Sequence, residues 1–412
     1  MRRQQKNIHS GTDGRVAFGR VTGWARAGGL VMAGGLVMAA LAGPASAATA
    51  GGATSGGAAA LRPGAVVSLG DSYISGEAGR WKGNAADATP GRRGTDRAWR
   101  PDAADPAGVV DRSLVYGDTV ANGCHRSDVA EGTSARLPFR RVINLACSGA
   151  RTVNVLRASA GGTGFKGEAP QDDQLAVVAR QQRVGVVVLS IGGNDLGFGS
   201  ILNACVGAYL SASTPCSTTL APAVAAGLPT VAAAVEATLA DIRSTMTEAG
   251  YHSWDYRLVL QSYPAPLPAA GENRYSGTAP DARAGVGGCP LQDVDSAWTR
   301  STLVPAMSAA LAGAAATAGA QFLDLGDAFH GHELCASAAA QSNGAPRSSA
   351  SEWVRFIDLT GQGDSSESLH PNAFGQEALG RCLALALADG HDVACHGVPG
   401  RSAAAVYRTD LS

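Results

Sequence analysis

Residues 65–73 read AVVSLGDSY, an apolar run that ends in glycine, aspartate and serine. The run predicts a buried strand, and Gly70 permits the tight turn that exposes the Ser72 hydroxyl at the strand's end. Four further apolar segments predict the other strands of one sheet: 142–146 (VINLA), 184–191 (VGVVVLSI), 256–263 (YRLVLQSY) and 321–325 (QFLDL). Because their apolar character is continuous rather than alternating, they indicate a parallel sheet covered on both faces.

Helical patterns lie between and after these strands, over residues 171–183, 223–249 and 293–318 and from Pro371 to about 389. Alternation of strands and helices with long crossovers is typical of α/β proteins. The sequence therefore predicts a three-layer α/β/α sandwich around a five-stranded parallel sheet.

The first crossover, residues 73–140, is far longer than a loop and one helix require. Connections that leave the carboxyl ends of parallel strands are where such folds place their sites. We therefore consider two interpretations of this insertion, a wall of the substrate site or a surface elaboration.

Polar or glycine-rich segments follow three of the predicted strands. Ser72 follows the first, Gly149 lies in CSGAR after the second, and Asn194 lies in GGND after the third. A fourth segment, ESLHPN, places His370 just before the last helix. Since the carboxyl ends of parallel strands share one edge of the sheet, we expect these residues to meet there.

These four ordered blocks resemble those of the SGNH hydrolases, the GDSL esterase/lipase superfamily. The secreted bacterial esterases and lipases of that superfamily resemble the chain more closely, because they share the segments 122–127 (NGCHRS) and 331–335 (GHELC). The resemblance implies a flavodoxin-like SGNH hydrolase fold over residues 61–397, followed by a C-terminal tail, 398–412.

The resemblance also implies residue roles. Ser72 would be the nucleophile and His370 the general base, while the Ser72 and Gly149 backbone N–H groups and the Asn194 side chain would form the oxyanion hole. The family places an aspartate three residues before the histidine, and here that residue is Glu367. We predict that Glu367 orients His370. The alternative is that a main-chain carbonyl, supplied by Ser368, orients His370.

The N-terminus has the three parts of a secretory signal peptide: a basic leader, an apolar run over 28–42 and the small residues GPASAA at 43–48. We predict cleavage after Ala47, a flexible linker over 48–60 and an extracellular protein. The apolar run is shorter than the ~20 residues that span a bilayer, so we expect no stable membrane anchor.

All eight cysteines follow this leader: Cys124, Cys147, Cys205, Cys216, Cys289, Cys335, Cys382 and Cys395. Disulfides are the default in an exported chain, although eight cysteines permit many pairings. Resemblance to the secreted esterases implies sequential pairing, which is Cys124–Cys147, Cys205–Cys216, Cys289–Cys335 and Cys382–Cys395.

Composition argues against other functional classes. The formal net charge is −1 and no basic stripe stands out, so we expect no nucleic-acid partner. The motif HGHE at 330–333 is a loose metal pattern, and we expect it to be a solvated loop or site wall, with no metal and no cofactor.

Together these features predict a monomeric secreted carboxylic ester hydrolase that acts on a small-molecule or lipid ester. Two alternatives remain open within enzymes, a carbohydrate O-acetylesterase and a phospholipase. A third alternative is a secreted binding protein on an inactive hydrolase scaffold.

Overall fold

The computed structural model describes residues 64–84, 95–105, 107–341, 347–359 and 361–411, with the backbone alone for Asp389. The predicted signal peptide, 1–47, and linker, 48–60, lie outside these residues. Nine strands lie within the described chain: β1 Gly64–Gly70, β2 Trp99–Arg100, β3 Val109–Val110, β4 Arg141–Asn144, β5 Arg183–Ser190, β6 Arg257–Gln261, β7 Gln321–Asp327, β8 Val393–His396 and β9 Tyr407–Asp410.

Five of the described helices have eleven or more residues: α1 Gln171–Gln181, α2 Phe198–Leu210, α3 Cys216–Glu248, α4 Val304–Ala318 and α5 Ala373–Asp389. Single turns or short helices connect them: Ser72–Ser75, Ser113–Tyr116, Thr119–Asn122, Glu131–Ser134, Thr152–Val155, Ala158–Ala160, Gly193–Leu196, Ala270–Glu272, Asp281–Val286, Asp293–Trp298, Thr299–Leu303, Ser365–Glu367 and Ala403–Ala405.

The central sheet has the strand order β4-β1-β5-β6-β7-β8-β9, and all its pairings are parallel except that of β8 with β9. The three-layer α/β/α prediction is confirmed, because the five predicted strands lie in the flavodoxin-like order second, first, third, fourth, fifth. The predicted number of strands is wrong, since the sheet has seven. The two additional strands have four residues each, and β9 (YRTD) is a polar edge strand without an apolar run. Residues 398–412, which we assigned to a tail, therefore include the last strand of the sheet.

Helices cover both faces of the sheet. On one face Val67 and Leu69 of β1 belong to a core with residues of α1, α3 and α4. On the other face Val66 packs in a core with residues of α5. Neighbouring residues of β1 thus point into opposite cores, which explains why the sequence of the strand is apolar throughout.

Helix α3 begins at Cys216, earlier than the predicted start at 223. Asp295 supports this start, because its carboxylate accepts hydrogen bonds from the backbone N–H groups of Cys216 (3.2 Å) and Ser217 (2.9 Å). The helix continues through Pro222 and Pro229.

By length and composition alone, two helical segments of the described chain are long and apolar enough to cross a membrane, Cys216–Glu248 and Asp293–Ala318. One face of each is buried in the core, as Val235 and Leu311 illustrate. That one-sided burial is also the pattern of a helix in the outer layer of an α/β sandwich.

Four disulfides link the cysteines in sequential order: Cys124–Cys147, Cys205–Cys216, Cys289–Cys335 and Cys382–Cys395. The first joins the crossover to the turn after β4, and the last joins α5 to β8. These two disulfides therefore connect the crossover and α5 to strands near the two edges of the central sheet.

Candidate active site

Ser72 lies at the carboxyl end of β1, two residues after a backbone position that only glycine fits. Gly70 has φ +131°, and a Cβ atom there would lie 1.9 Å from the Ser190 carbonyl oxygen. The side-chain amide of Gln171, at the start of α1, binds both backbone groups of Gly70, accepting from its N–H at 2.7 Å and donating to its C=O at 2.8 Å. The Gly70 carbonyl also accepts from the Cys147 N–H at 3.0 Å, so the amide adds to the backbone hydrogen bonds that hold the end of β1.

The structure brings Ser72 and His370 together although they are separated by 298 residues, and their side chains form a hydrogen bond of 2.6 Å. The other ring nitrogen of His370, Nδ1, lies 3.0 Å from the Ser368 carbonyl oxygen. Because a carbonyl can only accept, Nδ1 carries the proton and Nε2 is left to accept from the Ser72 hydroxyl. This tautomer is the one a general base needs.

The predicted role of Glu367 is contradicted by this geometry. Its carboxylate does not contact His370 and instead accepts hydrogen bonds from Trp81 Nε1 (2.7 Å) and the Tyr116 hydroxyl (3.1 Å). Glu367 ends the turn Ser365–Glu367, and its side chain points into the first crossover, where it is 1% exposed. The Ser368 carbonyl, our alternative, occupies the orienting position.

The described part of the first crossover supports the histidine loop more than it lines the pocket. Trp81 and Tyr116 bind Glu367, and Arg112 forms an ion pair with Asp364. Within the crossover range 73–140, Tyr73 is the described residue that lines the catalytic pocket. Of our two interpretations, a substrate wall therefore applies, among the crossover residues that the structure describes, to Tyr73 alone.

Gly149 and Asn194 line the same pocket as Ser72 and His370. Gly149 has φ +86°, which exposes its peptide at the pocket surface. Within the described chain, neither the Ser72 nor the Gly149 backbone N–H has an acceptor. The Asn194 side-chain amide donates one hydrogen bond to the Ala150 carbonyl at 2.9 Å and has a second N–H. Three N–H donors are thus grouped where an oxyanion would form.

A tyrosine that sequence reasoning missed connects two of these turns. The Tyr263 hydroxyl donates to Asp71 at 2.5 Å and accepts from the backbone N–H of Gly193 at 3.0 Å. It therefore joins the residue before Ser72 to the residue before Asn194. Burial raises the pKa of Asp71 to about 7, while the hydrogen bonds from Tyr263 and Tyr73 oppose this shift. Tyr263 ends the fourth predicted strand segment, so its position at the sheet edge was the available signal.

A second missed residue is Glu77, which is fully buried behind the pocket wall. Its carboxylate accepts hydrogen bonds from His125 Nδ1 and the Ser366 hydroxyl, both at 2.8 Å. Burial raises the pKa of Glu77, but the hydrogen bond and charge of His125, with the charge of His370, outweigh burial and hold the pKa below its ordinary value.

Glu77 also affects the base itself. Burial lowers the pKa of His370 below its ordinary value, and the charge of Glu77 followed by the Ser368 carbonyl opposes that shift. The carboxylate whose charge raises the pKa of His370 is therefore that of Glu77 and not that of Glu367.

The pocket has a volume of about 370 Å³ and extends from the catalytic groups along an apolar groove. The groove residues come from the segment after β5, from α4 and from the segment preceding α4: Leu196, Phe198, Leu202, Leu303, Val304 and Met307. An apolar chain attached to a carbonyl at Ser72 would lose its contact with water along this groove.

The HGHE motif is not the solvated loop that we expected. His332 is fully buried, stacks on the Trp353 ring with centroids 3.9 Å apart and binds the Ser351 carbonyl oxygen at 2.8 Å. Among the described residues, Cys205, Cys216 and Asp295 are grouped closely enough to hold a metal ion. The two cysteines form a disulfide and have no free thiolate to offer.

Residues 68–378 match the model of the GDSL-like Lipase/Acylhydrolase family. Similar solved structures include an extracellular lipase from Streptomyces rimosus, with 22% identity and a TM-score of 0.45, covering 79% of this chain and 99% of that one. A phospholipase A1 from Streptomyces albidoflavus has 21% identity and a TM-score of 0.43, covering 78% and 98%. Est24, a carbohydrate acetylesterase from Sinorhizobium meliloti, has 12% identity and a TM-score of 0.27, covering 79% and 98%. No curated protein sequence matches the chain.

Proposed function

The chain belongs to the GDSL-like lipase/acylhydrolase family, and we propose that it is a secreted esterase that cleaves carboxylic esters through an acyl-enzyme on Ser72. The observation that carries this proposal is the 2.6 Å hydrogen bond between Ser72 Oγ and His370 Nε2, in a pocket with three grouped N–H donors.

In the proposed reaction, the Ser72 oxygen bonds to the carbonyl carbon of the ester while its proton moves to His370 Nε2. The carbonyl oxygen becomes an oxyanion that accepts from the Ser72 and Gly149 N–H groups and from the Asn194 amide. His370 then gives its proton to the alcohol oxygen as the carbon–oxygen bond breaks. Water then attacks the acyl-enzyme in the same way, with His370 as the base. The acid is released and the Ser72 hydroxyl is restored.

The apolar groove supports an ester with an apolar acyl chain as the substrate. An acetyl group would leave most of this groove, including Phe198 and Met307, in contact with water. We therefore place neutral esters of longer acids ahead of an acetylated carbohydrate. The predicted signal peptide and the four disulfides support secretion.

A fluorophosphonate probe with mass mapping tests the nucleophile. We expect labelling at Ser72 in the wild type, none in Ser72→Ala, and a kcat lower by at least about 10⁴-fold in that variant. Ser211→Ala, at the exposed end of α2, is the matched serine control. An unlabelled Ser72 in folded protein would favour the inactive binding protein.

A panel of p-nitrophenyl esters from acetate to palmitate, with an acetylated glycan, tests the substrate. We expect kcat/KM to rise from acetate toward longer chains, and Asn194→Ala to lower kcat by about 10²–10³-fold on the best ester. Highest activity on the acetylated glycan would instead identify an O-acetylesterase.

A further inference from the structure

Lys166 lies behind the turn that presents the Gly149 N–H. Its ammonium group donates hydrogen bonds to the Gly123 carbonyl oxygen (2.6 Å) and the Ser148 carbonyl oxygen (2.7 Å). The Ser148 carbonyl and the Gly149 N–H belong to one planar, conjugated peptide unit. A cation bonded to the oxygen of that unit draws charge from it, so the N–H at the other end becomes a stronger donor.

We infer that Lys166 is a positioning residue for the oxyanion hole, which fixes and polarises the Ser148–Gly149 peptide so that its N–H stabilises the transition state. This inference rests on the proposed function, because it concerns the oxyanion of an ester hydrolase. Lys166 itself forms no bond with the substrate and exchanges no proton with it. It acts when the carbonyl π electrons move onto oxygen during attack by Ser72, so it should affect kcat and leave ground-state binding unchanged.

Lys166 is not needed to hold the two peptide segments together. Gly123 and Ser148 are the neighbours of Cys124 and Cys147, which form a disulfide. The Ser148 N–H also donates to the Cys124 carbonyl oxygen at 3.1 Å. Because a covalent bond and a backbone hydrogen bond already join these segments, the additional cation is better explained by its charge than by its contribution to folding.

The position of residue 166 also suits an ammonium group better than a guanidinium group. The chain has three lysines against 30 arginines, and one of the three is Lys166. A compact ammonium with three donors can approach two neighbouring carbonyls, whereas a planar guanidinium presents its donors in a fixed fork. Lys166 has φ +49°, in the left-handed region that favours glycine, and such strain is often found at functional sites.

The ring of Phe165, the residue before Lys166, also lies next to the Gly149 turn. The Lys166 ammonium lies 5.4 Å from the centroid of the Phe165 ring, and a Cβ atom on Gly149 would lie 3.5 Å from the tip of that ring. Phe165 and Lys166 are thus both neighbours of the Gly149 turn, while Gly149 and Lys166 themselves remain exposed to solvent.

The test compares Lys166→Met, which removes the charge at similar length, with Lys166→Arg, which retains it. Lys82→Met is the matched control, because Lys82 is exposed, lies outside the pocket lining and carries the same charge. Steady-state kinetics on the best p-nitrophenyl ester give kcat and KM. Inhibition by phenylboronic acid, which forms a tetrahedral adduct with a serine nucleophile, measures affinity for a transition-state mimic.

For Lys166→Met we expect kcat to fall about tenfold, KM to stay within about twofold, and the boronate Ki to rise in proportion to the loss in kcat. Lys166→Arg, which keeps the charge but not the compact ammonium, should recover part of the activity, and Lys82→Met should match the wild type. A Met variant with unchanged kcat and Ki, or Met and Arg variants with equal losses, would overturn the inference.

Thermal unfolding checks that each variant is folded. If Lys166→Met is not folded, Lys166→Gln retains an N–H donor without the charge, and its kinetics are interpreted in the same way. Fluorophosphonate labelling of the wild type separates the two levels: absence of labelling at Ser72 would refute the proposed function, whereas labelling with an unaffected Met variant would refute only the role of Lys166.

Discussion

Replacing Glu367 by glutamine distinguishes a catalytic triad from a dyad that uses a main-chain carbonyl. The substitution preserves the size of the side chain and removes its charge. In a triad, loss of the acid lowers kcat by about 10⁴-fold, because the histidine loses its orienting partner. Here Nδ1 of His370 binds the Ser368 carbonyl at 3.0 Å, and the Glu367 carboxylate binds Trp81 and Tyr116 instead. We therefore expect kcat of Glu367→Gln to fall by less than about tenfold.

The same substitution should nevertheless destabilise the fold. Glu367 is 1% exposed. Burial lowers the pKa of Arg355 to about 9, and the charge of Glu367 is the largest of the interactions that oppose this shift. A hydrogen bond to a charged group contributes about 1.5–3 kcal/mol, and breaking a buried ion pair costs about 3–5 kcal/mol. Arg80 is 3.9 Å from Glu367 and bonds mainly to Asp96, at 2.6 Å. Burial also raises the pKa of Glu367, so removing its charge relieves part of the cost of burying it, and the expected loss is at the lower end of that range, about 1.5 kcal/mol.

Kinetics on a p-nitrophenyl ester and urea unfolding measure the two effects separately. Glu131→Gln is the control for kcat alone, because it makes the same change at another fully buried glutamate that does not line the pocket, whereas its own stability is expected to change. A loss in kcat of about 10³-fold or more in folded Glu367→Gln would refute the dyad and restore the triad. A loss of stability with nearly unchanged kcat is the expected result.

Three further predictions concern two residues around the site and one in the core. Glu77→Gln should move the acid limb of the kcat/KM pH profile to lower pH, because the charge of Glu77 raises the pKa of His370 and the base must be neutral to act; a limb at the wild-type pH would contradict this. Tyr263→Phe, which removes the bridge between the Ser72 and Asn194 turns, should lower kcat about tenfold with little change in KM, and an unchanged kcat would show that the bridge is dispensable. Burial raises the pKa of Glu131 from 4.5 to about 7. The folded state should therefore lose stability as the pH rises from 4.5 to about 7, and the loss should be complete above that pH. Urea unfolding should show Glu131→Gln gaining about 3 kcal/mol over the wild type at pH 8 and nothing at pH 4, and equal gains at both pH values would rule out this origin.

The five predicted strands are all present because each is a short run of apolar residues that can be buried only between two layers of helices. β8 (VACH) and β9 (YRTD) were missed because neither contains an apolar run like those of the predicted strands, and such strands gain much of their stability from neighbours in the sheet. The early start of α3 at Cys216 depends on the carboxylate of Asp295, which is 79 residues away in sequence. Such contacts leave no local pattern in the sequence.

The sequence by itself determined which residues carry the proposed chemistry, because Ser72, Gly149, Asn194 and His370 lie in short motifs at predicted strand ends and before a helix. Parallel strands align their carboxyl ends, so these positions had to meet. Only the tertiary structure decided what surrounds them. Glu367 points to Trp81 and Tyr116, which lie 286 and 251 residues away, and leaves His370 to the Ser368 carbonyl. The direction of a buried polar side chain depends on the partners that satisfy it, and those partners are brought together only by folding.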